Sequence, residues 1–206
     1  MAKKKTNEEV VEEKIAIPPL QTRIASITIE GDSPLMVNNF TNKSKTEMME
    51  KHLKKAKSAK EARDIAAEVE SALYRLSNGK YAIPASGLKN CAISACRFID
   101  GVPMTKARGA FFVLADEGSL VEIKAKTHEI DERPVAIGPF GKKTKMIRYR
   151  PRFDEWSCTF KIRYNPNVIS AEQLLNLYEN AGFSVGLCEY RPEKSGDHGM
   201  FHVRRG

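Results

Sequence analysis

The chain has 206 residues, 41% of them hydrophobic, which is enough for one main core and too apolar for a wholly disordered protein. Its formal charge of +8 favours a polyanionic partner, and no apolar run approaches the roughly 18 residues that span a bilayer. Cys91, Cys96, Cys158 and Cys188 lack Cys-x-x-Cys spacing and are too sparse for a disulfide scaffold. They read as buried apolar residues in a reducing, cytoplasmic compartment, since the N-terminus has no signal-peptide hydrophobic region.

Residues 1–19 read as a charged flexible leader, with Lys3 to Lys5 and Glu8, Glu9, Glu12 and Glu13 before Pro18-Pro19. A single domain, 20–206, follows. Alternation of Ala25, Ile27 and Ile29 with Ser26, Thr28 and Glu30 predicts a strand over 22–30. A helical insertion spans about 43–78, where Ala62, Ile65, Ala66, Val69 and Leu73 keep helical period and Asn78-Gly79 ends it. After Ile83-Pro84, a core helix carries Leu88, Cys91, Ala92, Ala95, Cys96 and Ile99 on one stripe, with Ser86 as its N-cap.

Strands are predicted over 109–115 and 120–126, joined as a hairpin through Asp116 to Ser119. Residues 127–142, with Pro134, Gly138, Pro139 and Gly141, read as an extended loop within a loop and hairpin insertion of about 127–156. Strict alternation from Cys158 to Tyr164 marks a half-buried strand. Ser170-x-x-Gln173 opens a helix closed by Gly182, and a last strand or hairpin covers 183–190 and 200–204. This order fits an α+β, ferredoxin-like βαββαβ core with an inserted basic hairpin and an enlarged helical connection.

Lys142, Lys143, Lys145, Arg148, Arg150 and Arg152 crowd into one stretch just before Trp156. Cations neutralise phosphates and rings stack on bases, so the pattern points to single-stranded nucleic acid. Pairing of 145–152 with 158–165 through the Phe153 to Trp156 turn would place Arg148, Arg150 and Arg152 on one face with Lys161 and Arg163. Six phosphate contacts would give log affinity a slope of roughly −4 against log salt. The alternative is internal neutralisation by Asp131, Glu132, Asp154 and Glu155. Trp156 and Phe153 are the stacking candidates, with packing beneath a loop as their other reading.

The glycine-bearing stretch from Gly182 to Phe201 frees backbone amides near a helix end. With Ile29-Glu30-Gly31-Asp32-Ser33-Pro34-Leu35-Met36 and Ile83-Pro84-Ala85-Ser86-Gly87-Leu88-Lys89, it resembles the RAMP superfamily, the repeat-associated proteins that build RNA-binding backbones of CRISPR effector complexes. The chain is also similar to a group of phage and prophage proteins, through Lys106-Ala107-Arg108-Gly109-Ala110, Tyr164-Asn165-Pro166-Asn167 and Glu189-Tyr190-Arg191-Pro192-Glu193-Lys194. The resemblance implies a ferredoxin-like fold, side-by-side assembly of copies, and a bacterial host cytoplasm. It also implies that Ser86, Gly87 and Lys89 sit at an anion-binding helix start, although Ser86 could simply cap that helix.

No Walker loop, Gly-x-Ser-x-Gly, His-Glu-x-x-His or paired acidic motif occurs, so no cofactor, metal or catalytic residue is expected. Metal-independent RNA cleavage at His198, with Lys194 beside it, is the remaining catalytic alternative; His52, His128 and His202 complete the histidines. The expected function is a self-assembling, phage-encoded protein that binds single-stranded RNA or DNA through Lys142, Lys143, Lys145, Arg148, Arg150, Arg152, Lys161, Arg163, Trp156, Ser86, Lys89 and Lys194. The alternative is a ring- or filament-forming structural or host-protein-binding factor without nucleic acid.

Overall fold

The computed structural model describes residues 19–39, 64–138 and 144–205, together with Met49. The expected leader up to Pro18, most of the helical insertion, His52, Lys142 and Lys143 lie outside the described residues.

In chain order the elements are β1 (Arg23–Gly31), β2 (Leu35–Met36), α1 (Ile65–Ser71), β3 (Tyr74–Arg75), β4 (Tyr81–Pro84), α2 (Ala85–Ala95), α3 (Met104–Ala110), β5 (Phe111–Leu114), β6 (Leu120–Lys124), β7 (Glu129–Ile137), β8 (Thr144–Phe153), β9 (Ser157–Tyr164), α4 (Ala171–Ser184), a 3-10 turn (Pro192–Lys194) and β10 (Phe201–Val203).

Strand β9 is the axis of the main antiparallel sheet. One of its edges pairs with β1 from Arg23↔Tyr164 to Glu30↔Ser157. The other is shared end to end by β5, from Phe111↔Tyr164 to Leu114↔Lys161, and by β6, through Ile123↔Cys158 and Lys124↔Ser157. Beyond β1 lies β10, and beyond β6 lie β4 and β3. The alternation that makes these segments strands sends Ile27, Ile29, Phe111, Cys158, Phe160, Ile162 and Tyr164 to one face, where Leu88 and Ala92 of α2 and Leu174, Leu177, Tyr178 and Ala181 of α4 join them in one core. The Tyr178 ring lies 5.2 Å from Phe160 and 6.4 Å from Phe111, and its hydroxyl donates to the Leu88 carbonyl. Burying each such large side chain stabilises the fold by about 1.5–3 kcal/mol.

A second, three-stranded sheet runs β2-β8-β7. Here the structure corrects several expectations. The run 127–142 contains β7, which pairs with β8 from Glu129↔Arg152 to Ile137↔Thr144. Strand β8 therefore forms no hairpin with β9, whose two edges are taken by β1, β5 and β6. The segment Lys106 to Ala110 belongs to α3 and not to a strand start. Strands β5 and β6 do not pair with each other, and Asn78-Gly79 turns the chain between β3 and β4 instead of ending a helix. Residues 183–190 continue α4 into a loop, leaving β10 as the closing strand.

Candidate nucleic-acid interface

Strand parity puts Arg148, Arg150 and Arg152 on one face of β8, as expected; along that face Arg150 is buried, while Arg148 and Arg152 are half-buried. Register aligns it with Glu129, Asp131 and Arg133 of β7. Arg150 is 8% exposed; its Nε donates to Glu189 at 3.3 Å, its Nη1 donates to the Tyr149 carbonyl at 2.9 Å and lies 3.8 Å from Glu68. Arg152 donates to Asp154 at 2.8 Å and stands 3.7 Å from Asp131. Asp131, 6% exposed, accepts from both Arg133 Nε and Nη2, which holds its carboxyl below the usual range. Internal neutralisation thus occurs for Arg150 and Arg152, with Glu189 and Glu68 supplying carboxylates that neither strand contains.

Glu189 belongs to the loop between α4 and β10, where Cys188, Tyr190 and Ser195 hold left-handed backbone (φ 60°, 59° and 61°). Such residues cost about 1 kcal/mol or more each, so the surroundings must fix them. Glu189 N donates to the Met36 carbonyl, His198 N to the Tyr190 carbonyl and Gly199 N to the Pro34 carbonyl. Arg133 lies over the Tyr190 ring at 4.2 Å, and His198 is engaged by Asp197 at 2.6 Å and by Arg133 at 3.3 Å. Both ring nitrogens of the candidate acid–base histidine are occupied by protein groups. His202 likewise meets Asp32 at 2.7 Å, and His128 meets the Tyr81 hydroxyl at 3.1 Å.

Trp156 is not a stacking platform. It is 5% exposed, its Nε1 donates to the Ser33 carbonyl at 2.9 Å, and its ring sits edge-on to Phe201. Phe153 is 1% exposed. Ser86 is not an N-cap: α2 starts at Ala85 with Pro84 at the capping position and no side-chain cap. Ser86 is exposed on the first turn, and Lys194 is exposed at the end of the 3-10 turn with no ion pair among the described residues.

Lys161 and Arg163 lie elsewhere, on the open face of the main sheet. In register, Arg163 sits between Ile24 and Phe112, and Lys161 between Ser26 and Leu114. Ile24 is 64% exposed and Phe112 47%. From α2, Lys89 places its ammonium 3.8 Å from the Phe112 ring centroid, and partial burial lowers its pKa. Among the described residues, no carboxylate pairs with Lys89, Lys161 or Arg163. The structure brings these three cations around one exposed ring and separates them from the arginines of β8. Phe112 and Ile24 carry the signal that sequence reading passed over: each is an apolar residue on the solvent parity of its strand. Lys145 and half-buried Arg148, on β8, also have no carboxylate partner among the described residues.

No protein-family model matches the chain, and curated proteins give no match. Solved structures do. A chain of the type III-B Cmr-beta assembly bound to cognate target RNA superposes with a TM-score of 0.55 at 12% identity, covering 89% of this chain and 59% of that one. The likeness is one of fold. This chain spans 59% of the length of that neighbour. Cmr6 from Pyrococcus furiosus aligns at a TM-score of 0.43 and 11% identity, over 90% of this chain and 100% of its own. No helix among the described residues is long and apolar enough to cross a membrane.

Proposed function

We propose that this protein binds single-stranded nucleic acid on the open face of its main sheet. One observation carries the reading: Lys89, Lys161 and Arg163 gather around exposed Phe112 without a carboxylate among the described residues to neutralise them. Cations beside an accessible ring suit phosphates and a stacked base together, with no demand for one sequence. Lys145 and Arg148, on opposite faces of β8, are secondary contacts, as are Lys142 and Lys143, which precede them in sequence outside the described residues, and Lys194 and Ser86 are peripheral contacts. Arg150, Arg152 and Trp156 hold the fold. We read β10-β1-β9-β5, backed by α2 and α4, as a ferredoxin-like core, and β7 with β8 as its inserted hairpin.

Titration of labelled single-stranded RNA and DNA 20-mers at stepped salt tests the proposal. Five phosphate contacts, from Lys89, Lys145, Arg148, Lys161 and Arg163, give a log–log slope of roughly −3.5. A flat salt response contradicts it.

A second reading has its own support. The outer edge of β1 is paired by β10 from Ile29 to Gly31, and Arg204 N donates to the Thr28 carbonyl, which leaves Arg23 to Ile27 without a strand partner on that side among the described residues. Open edges accept further strands, so copies joined edge to edge into a ring or filament are the competing function. Mass photometry of nucleic-acid-free protein in high salt separates the two, since a persistent oligomer supports assembly alone.

A further inference from the structure

The open sheet face is unbalanced in two respects. Lys161 and Arg163 are unpaired among the described residues, and Ile24 and Phe112 beside them expose apolar surface. Adjacent like charges and exposed apolar groups are both relieved by one kind of occupant, a segment that alternates carboxylates with aliphatic side chains.

The chain supplies such a segment immediately before β1. Glu8, Glu9, Glu12 and Glu13 surround Val10 and Val11, and Ile15 and Ile17 follow. Pro18, Pro19 and Leu20 connect it to β1, whose second residue is Ile24. The row Ile24–Arg163–Phe112 crosses three strands, about 10 Å, a span that a segment of this length covers. A short tether also keeps the segment at an effective concentration of about millimolar, so even weak contacts are populated within one molecule.

We propose that Glu8–Ile17 docks on the open sheet face of its own chain, its carboxylates against Lys161 and Arg163 and its aliphatic side chains against Ile24 and Phe112. Docking does not require that the face bind nucleic acid, so the two ideas stand or fall separately.

Zero-length carbodiimide coupling of the full chain, read by peptide mass spectrometry, tests it, because the reagent joins only carboxylates and amines in contact. In an equal mixture of 14N and 15N protein at low salt, the leader glutamates should couple preferentially to Lys161, with unmixed isotopes. Arg163→Glu should cut that yield roughly two- to five-fold at unchanged circular dichroism. Lys161→Arg keeps the charge but removes the reactive amine, and should erase this product alone. Coupling spread over other lysines, mixed isotopes, or a yield indifferent to Arg163→Glu would overturn the proposal.

Discussion

Asp131 shows how a single carboxylate redirects a basic strand. It receives two hydrogen bonds from Arg133 and lies near Arg152, so two partly exposed cations converge on one nearly dry carboxylate. Asp131→Asn leaves Arg133 and Arg152 without their common counter-ion, and urea denaturation should show a loss of roughly 1–3 kcal/mol. A loss below about 0.5 kcal/mol would mean that the arginines are solvated. His202 gives a pH test with a definite sign. The hydrogen bond to Asp32 raises its pKa above the ordinary 6.5, with Asp32 and Glu30 adding charge attraction. A raised folded-state pKa contributes stability that is fully present below the unfolded value and is lost as pH rises through the raised one. The urea midpoint of the wild type should therefore fall on going from about pH 6 to 8 more than that of His202→Gln. Identical pH profiles would remove His202 from the account. Because His202 is partly exposed, the difference should also shrink in high salt.

At the scale of elements, the two helices that back the sheet begin differently. Ser170 and Gln173 form a reciprocal capping box at α4: Ser170 Oγ accepts from Gln173 N at 3.1 Å, and Gln173 Oε1 accepts from Ser170 N at 2.9 Å. Ser86 makes no such bond at α2. Ser170→Ala should cost about 1 kcal/mol in thermal or urea unfolding, whereas Ser86→Ala should leave stability unchanged. Equal losses would place Ser86 back at the cap. The capping box was legible because its two residues stand three apart in sequence. So was the inward parity of β1 and β9, because period-two burial is a local property. Strand partners were not, because alternation assigns faces and says nothing about which edge pairs with which. The short Phe153 to Trp156 link suits a hairpin, yet β1 on one side and β5 with β6 on the other occupy β9, and β8 turns to β7. Gly182 illustrates the same limit. Its place near the helix end suggested a C-cap, but α4 continues to Ser184, and a Cβ there would sit 1.7 Å from the Phe201 carbonyl oxygen.

Taken as a whole, the molecule separates its basic residues into two sets with different work. Arg150 and Arg152 of β8 meet carboxylates from β7, α1 and the loop after α4, and tie the small sheet to the rest of the chain. Lys161 and Arg163 stay on the main sheet's open side, beside an exposed ring. The cluster of charge was readable in the sequence, but its division was not, because Glu189 and Glu68 lie far from Arg150 along the chain. Fluorescence anisotropy of a labelled single-stranded 20-mer with wild type and the Lys161→Glu, Arg163→Glu double variant tests the central claim most directly. Affinity should fall roughly tenfold or more at about 50 mM salt while the far-ultraviolet circular dichroism and unfolding midpoint stay as in the wild type. Undiminished binding by a folded double variant would contradict the claim and move the site off the sheet.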